Sequence, residues 1–139
     1  FSFSAGAAFT AFDDHLWLIG GHSLFGTSSS AEIWKSADGI NWSKTTANIG
    51  KLITHSITVF NESLWIIGGV NTQFEPSNTV WQSTDGTHWT AKTTTALSSG
   101  RGLVELVVHN NEIWSIGGTS IGPSMTGTYF SDIYKAIDQ

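Results

Sequence analysis

Cysteine is absent from the 139 residues, which excludes disulfides, thiolate nucleophiles and Cys-ligated zinc and leaves the redox compartment undecided. Basic residues are scarce. Six Lys and Arg against eleven Asp and Glu give a net charge of −5, with no basic cluster to neutralise a phosphate backbone, so nucleic acid is not an expected partner. The longest apolar runs, Leu16 to Ile19 and Leu64 to Ile67, are far shorter than the roughly 18 residues a membrane helix needs, and no membrane span is expected. No window carries a sustained helical period with caps. Neither an initiator Met nor a charged-then-apolar signal segment opens the chain at Phe1, so it reads as a processed form or a piece of a longer chain.

What is present points to a packed interior. Aromatic residues make up 12% of the chain, seven of them Trp, and charged residues only another 12%, the reverse of a disordered composition. The length suits one modest domain over residues 1–139. Low charge with abundant Ser, Thr, Asn, Gly and Trp leans towards an exported protein, extracellular or at the cell surface.

The chain repeats itself. Leu16-Trp17-Leu18-Ile19-Gly20-Gly21 returns as Leu64-Trp65-Ile66-Ile67-Gly68-Gly69 and again as Ile113-Trp114-Ser115-Ile116-Gly117-Gly118, at offsets of 48 and 49 residues (Gly20 to Gly68, Gly68 to Gly117). A second motif follows the first two copies: Ile33-Trp34-Lys35-Ser36-Ala37-Asp38-Gly39-Ile40-Asn41-Trp42 and Val80-Trp81-Gln82-Ser83-Thr84-Asp85-Gly86-Thr87-His88-Trp89. The third copy, Asp132 to Gln139, stops before its Gly-x-x-Trp. The repeats span approximately 1–48, 49–97 and 98–139.

Each full repeat reads as four short strands. A hairpin with a polar two-residue turn (Asp13-Asp14, Asn61-Glu62, Asn110-Asn111) precedes each Gly pair, and Asp-Gly turns the third strand into the fourth. Each Gly pair marks backbone that passes close to backbone or takes positive φ. The fold class is therefore all-β, with two complete four-stranded units and a truncated third.

This pattern resembles the Kelch repeat, whose units are blades of a β-propeller. The resemblance covers essentially the whole chain. It departs from the family pattern in the Arg and His often found ahead of the first strand: here Arg101 occurs only in the third copy and His55 only in the second. The Ser-x-Asp-Gly-x-x-Trp turn is similar to the bacterial Kelch type with an Asp-box-like motif. Asp boxes raise sialidases, whose resemblance implies an arginine cluster; this chain has one arginine. Galactose oxidase, a Kelch-bearing enzyme, needs copper and a cysteine-linked tyrosine, which a chain without cysteine does not supply.

Asp38 and Asp85 recur in equivalent turns and read as turn-builders, their carboxylates accepting backbone N–H groups with help from Ser36 or Ser83. The five histidines show no ligand spacing, and no metal or other cofactor is expected. Trp17, Trp65 and Trp114 occupy one position in each repeat and read as packing between blades. Residues that differ between repeats are the better recognition candidates. They are His22 and Phe25 after the first Gly pair, Asn71, Gln73, Phe74 and Glu75 after the second, Met125 after the third, and Arg101. Two sequons mark Asn41 and Asn61 as glycosylation candidates.

With no catalytic constellation in view, the leading expectation is a noncatalytic binding or scaffold propeller recognising a protein or glycan through the loops after the Gly pairs. A second reading is a structural subunit that self-assembles, with Phe1 and Phe3 supplying a fourth strand to the third unit of another copy and Tyr134 on the accepting strand. A third is a fragment of a larger Kelch-containing enzyme.

Overall fold

The computed structural model describes residues 5–22, 30–71, 73–93, 97–121 and 126–137. Phe1, Phe3, Phe25 and Met125 lie outside the described residues, as does the side chain of His22.

The described chain is all-β. The first sheet takes β1 (Ala5–Phe12), β2 (His15–His22), β3 (Ser30–Ser36) and β4 (Ser43–Gly50) in sequence order. The second repeats that order with β5 (Ser56–Phe60), β6 (Ser63–Ile67), β7 (Val80–Ser83) and β8 (Thr90–Thr93). In the third copy β9 (Glu105–His109) and β10 (Glu112–Ile116) are joined by β13 (Ile133–Ile137), in the order β13, β10, β9. Two four-stranded blades and a three-stranded third match the strand count read from the motifs. The third Gly-pair loop differs from expectation: β11 (Thr119–Ile121) and β12 (Gly127–Tyr129) pair as a small hairpin of their own.

Turn chemistry sets the inner hairpins. Asp13 and Asp14, Asn61 and Glu62, and Asn110 and Asn111 all take φ between +46° and +62°. Two consecutive left-handed residues match the right-handed twist of the flanking strands, and Asn and Asp tolerate that region best among side-chain-bearing residues. After the middle strand, Gly68 and Gly69 take φ of +72° and +95°. A Cβ on Gly68 would lie 2.4 Å from the Arg101 carbonyl oxygen. Positive φ and close backbone approach thus apply together at this pair.

Period-2 alternation distributes the core between two interfaces. Trp17 and Ile19 on β2 pack with Leu64 and Ile66 on β6 in one buried cluster, together with Ile33, Ile49 and Trp89. Trp65 and Ile67, on the opposite face of β6, pack with Ile113, Val80, Leu97 and Val104 in a second. The middle strand of blade 2 is buried along its whole length, since both its faces are covered.

Main-chain bonds repeat between blades. Thr54 N–H donates to the Gly6 carbonyl and Leu103 N–H to the Thr54 carbonyl, both at 2.8 Å. Gly21 N–H donates to Leu52 and Gly69 N–H to Arg101, both at 2.9 Å. Gly6, Thr54 and Leu103 occupy equivalent places, and all three take positive φ.

Candidate functional site

The loop after the second Gly pair is built by one side chain. Asn71 Oδ1 accepts from the Gln73 and Glu75 backbone N–H groups, each at 2.9 Å, and its Nδ2 donates to Glu75 Oε2 at 2.7 Å. Phe74 N–H returns to the Asn71 carbonyl at 3.1 Å. An Asn side chain that imitates a turn of backbone is a local device needing nothing beyond sequence neighbours. It holds Phe74 at φ +59° with 53% of its surface exposed. A bulky residue in the left-handed region costs about 1 to 2 kcal/mol, offset here by the bonds around it.

Beside this loop runs an open cleft of about 640 Å³. Its walls include Lys51 and Leu52 from the linker between β4 and β5, Asn71, Gln73 and Glu75 from the loop, and Trp81 on β7. Three of the four residues expected from this loop therefore share one concavity, and Phe74 stands next to it. Lys51 and Trp81 were not anticipated from sequence; a linker lysine and the Trp after a strand's first residue carry no local signal of convergence.

Arg101 requires a correction. It was expected among surface recognition residues, and it is fully buried, at 0% exposure. Its guanidinium donates to Asp132 Oδ1 at 2.5 Å, to the Gly117 carbonyl at 3.2 Å and to Ser98 Oγ at 2.9 Å. It also stacks over Phe130, 3.6 Å from the ring centre. Five fixed donors in a planar fork suit such a set of acceptors. The pair holds the Asp132 carboxyl below its usual range through the hydrogen bond from Arg101. Arg101 thus locks the segment before blade 3 to the loop of that blade.

Tyr134 lies half-buried on β13. It pairs with Ser115 and packs back on the second cluster, so its ring serves the interior. The strand that bears it, β13, is the edge of the third sheet among the described residues.

The two Asp-Gly turns are built alike. Asp38 Oδ1 accepts from the Ile40 and Asn41 backbone N–H groups at 2.8 and 2.7 Å, and Oδ2 from Asn41 Nδ2 at 2.8 Å. Asp85 Oδ1 accepts from the Thr87 and His88 N–H groups at 2.7 and 2.8 Å, with the His88 ring on Oδ2 at 2.7 Å. Ser36 Oγ and Ser83 Oγ accept from Gly39 and Gly86 N–H. For Asp38 the donors, first the Asn41 N–H, hold the carboxyl well below the ordinary range. For Asp85 burial pulls upward, and the His88 and Thr87 donors outweigh it, with the same net direction. Neither residue lines the cleft. Asn41 and Asn61 are both exposed; the Asn41 amide is engaged with Asp38, and Asn61 sits at the tip of a hairpin.

His55 is buried between the Gly pairs of blades 1 and 2, and neither ring nitrogen has a well-formed hydrogen bond. Burial drives its pKa down to about 4, against a small opposing pull from the Ile19 backbone. The ring is neutral at physiological pH.

No family model matches the chain, and no curated protein matches it. Among solved structures it is similar to one described as the structure of YjhT, with a TM-score of 0.69 at 20% sequence identity over 96% of this chain and 42% of that one. The likeness is one of fold, and the chain spans less than half the length of that neighbour.

Proposed function

We propose that this chain is a Kelch-type propeller segment acting as a noncatalytic binding scaffold, exported to the cell surface or beyond, that holds a protein or glycan in the cleft beside the Asn71 to Glu75 loop. One observation carries the reading: Asn71 spends its whole side chain fixing a loop that presents Phe74 outward beside a polar concavity. Backbone strain kept in an exposed loop marks a place where geometry serves something other than stability. Trp81 offers an apolar face to a sugar ring or side chain, while Gln73, Glu75 and Lys51 offer donors and acceptors at its edge.

Screening the chain against a printed glycan array and a displayed random-peptide library tests this. A selected binder is expected to weaken by about tenfold or more on Phe74→Ala or Gln73→Ala, with the thermal midpoint held. Undiminished binding by both variants would move the site elsewhere, and turnover of a bound glycan would end the noncatalytic reading.

A further inference from the structure

The loop wall of the cleft has little main chain to offer a partner. The N–H groups of Gln73 and Glu75 go to Asn71 Oδ1, that of Ser77 to the Gly69 carbonyl at 2.8 Å and that of Thr79 to Ser77 Oγ at 3.1 Å. Pro76 has none. The carbonyls of Glu75, Ser77 and Thr79 accept from the N–H groups of Asn71, Arg101 and Gly68. An extended peptide that docks by adding its backbone to a protein needs such groups free. Here they are spent within the fold.

Side chains line the cleft instead, and one of them stands apart from its kind. Trp17, Trp65 and Trp114 each donate the indole N–H to a main-chain carbonyl five residues away, and Trp42 and Trp89 to one three residues away. The Trp81 indole N–H has no partner among the described residues, and its ring is half-buried on the cleft wall. Lys51 forms no ion pair among the described residues. Glu75 gives Oε2 to the Asn71 amide and keeps Oε1 as an acceptor. With Lys51 and Glu75 as the charged residues of the lining, the formal charges cancel.

Resting on the cleft as the binding site, we propose that its ligand is an uncharged oligosaccharide, one pyranose ring stacking on Trp81 with the indole N–H donating to a ring hydroxyl. A sugar ring has an apolar C–H face and a rim of hydroxyls that both donate and accept, and an indole with an unspent N–H beside polar side chains is its complement. An acidic sugar gains little, since Glu75 repels what Lys51 attracts. The volume of about 640 Å³ lies within the roughly 300 to 1,000 Å³ of small-ligand sites.

An array of neutral gluco-, galacto-, manno- and N-acetylglucosamine oligosaccharides, printed beside uronate- and sulfate-bearing counterparts and screened with the peptide library, selects the probe. Calorimetric titration of the best neutral sugar should give an affinity that changes less than about twofold between low and high salt. Trp81→Phe keeps an apolar ring and loses only the N–H, so it should weaken binding about threefold to tenfold. Trp34→Phe, the same change at the equivalent position of blade 1, should leave it unaltered. In the unsubstituted chain the Trp81 indole N–H resonance should shift on titration while those of Trp17 and Trp65 stay, a readout independent of how the variants fold. Binding of acidic glycans alone, or collapse of binding at high salt, would overturn the uncharged class. A neutral sugar indifferent to Trp81→Phe that leaves the Trp81 resonance in place would overturn the stacking. A peptide weakened by Gln73→Ala, with no sugar bound, would overturn the glycan and keep the cleft. Should every bound probe ignore both Gln73→Ala and Phe74→Ala, or no probe bind, the cleft itself falls as the site.

Discussion

The indole of Trp17 lies on the backbone of Gly86, so closely that any side chain there would overlap the ring. Gly39 makes the same turn with the same left-handed backbone, φ +74° against +78°, and no ring upon it. Gly39→Ala is expected to cost about 1 to 2 kcal/mol of strain. Gly86→Ala should cost roughly 2 to 5 kcal/mol, since overpacking adds to that strain. Urea midpoints of the two variants decide it; equal losses would show that the indole yields.

Position in the series should also separate the tryptophans. Trp65→Ala removes a ring covered on both sides and should cost about 3 to 5 kcal/mol. Trp114→Ala, which removes a half-buried ring, should cost only about 1 kcal/mol. Chemical denaturation of each single variant checks the ranking.

Acid should act on this protein in two windows. His55 has a folded pKa of about 4 against an ordinary 6.5, so the unfolded chain takes up the proton first. Its effect is absent above pH 6.5 and grows as pH falls towards 4, to roughly 3 kcal/mol of lost stability. Asp38 and Asp85 shift the other way: their contribution is complete above the ordinary carboxylate value of 3.8 and fades as pH falls below it. A pH series of urea midpoints should show the upper window vanish in His55→Leu and the lower one shrink in Asp38→Asn.

Arg101 should not tolerate lysine. An ammonium cannot serve Asp132, Gly117 and Ser98 together or stack on Phe130, so Arg101→Lys and Arg101→Ala should both lose about 3 kcal/mol. Near-native stability of the lysine variant would show that charge alone suffices.

Local chemistry was legible in the sequence, and neighbour-dependent burial was not. Polar pairs announced the hairpins because two left-handed residues leave few other choices, and Ser-x-Asp-Gly announced its turn because its bonds close within a few residues. The three tryptophans look identical as text, yet Trp114 is half-buried where Trp17 is covered. Arg101, a lone cation beside glycines, resembled a surface residue; its acceptors sit up to 31 positions away. The candidate cleft was half-visible, since Asn71 to Glu75 form one loop but Lys51 reaches it only through blade packing. The suggested strand donor Phe1 and Phe3, and the loop residues Phe25 and Met125, fall outside the described residues.

The two-residue hairpins also bear on where this molecule holds longest. Each inner hairpin closes on its own within microseconds, whereas contacts between blades join residues far apart in sequence, such as Gly21 with Leu52 and Trp17 with Gly86, and form by nearest-neighbour addition. Among the described residues blade 2 is held from both sides, whereas blade 3 has three strands and packs on blade 2 alone. Amide exchange should therefore be slowest along β6, which is sealed along its whole length.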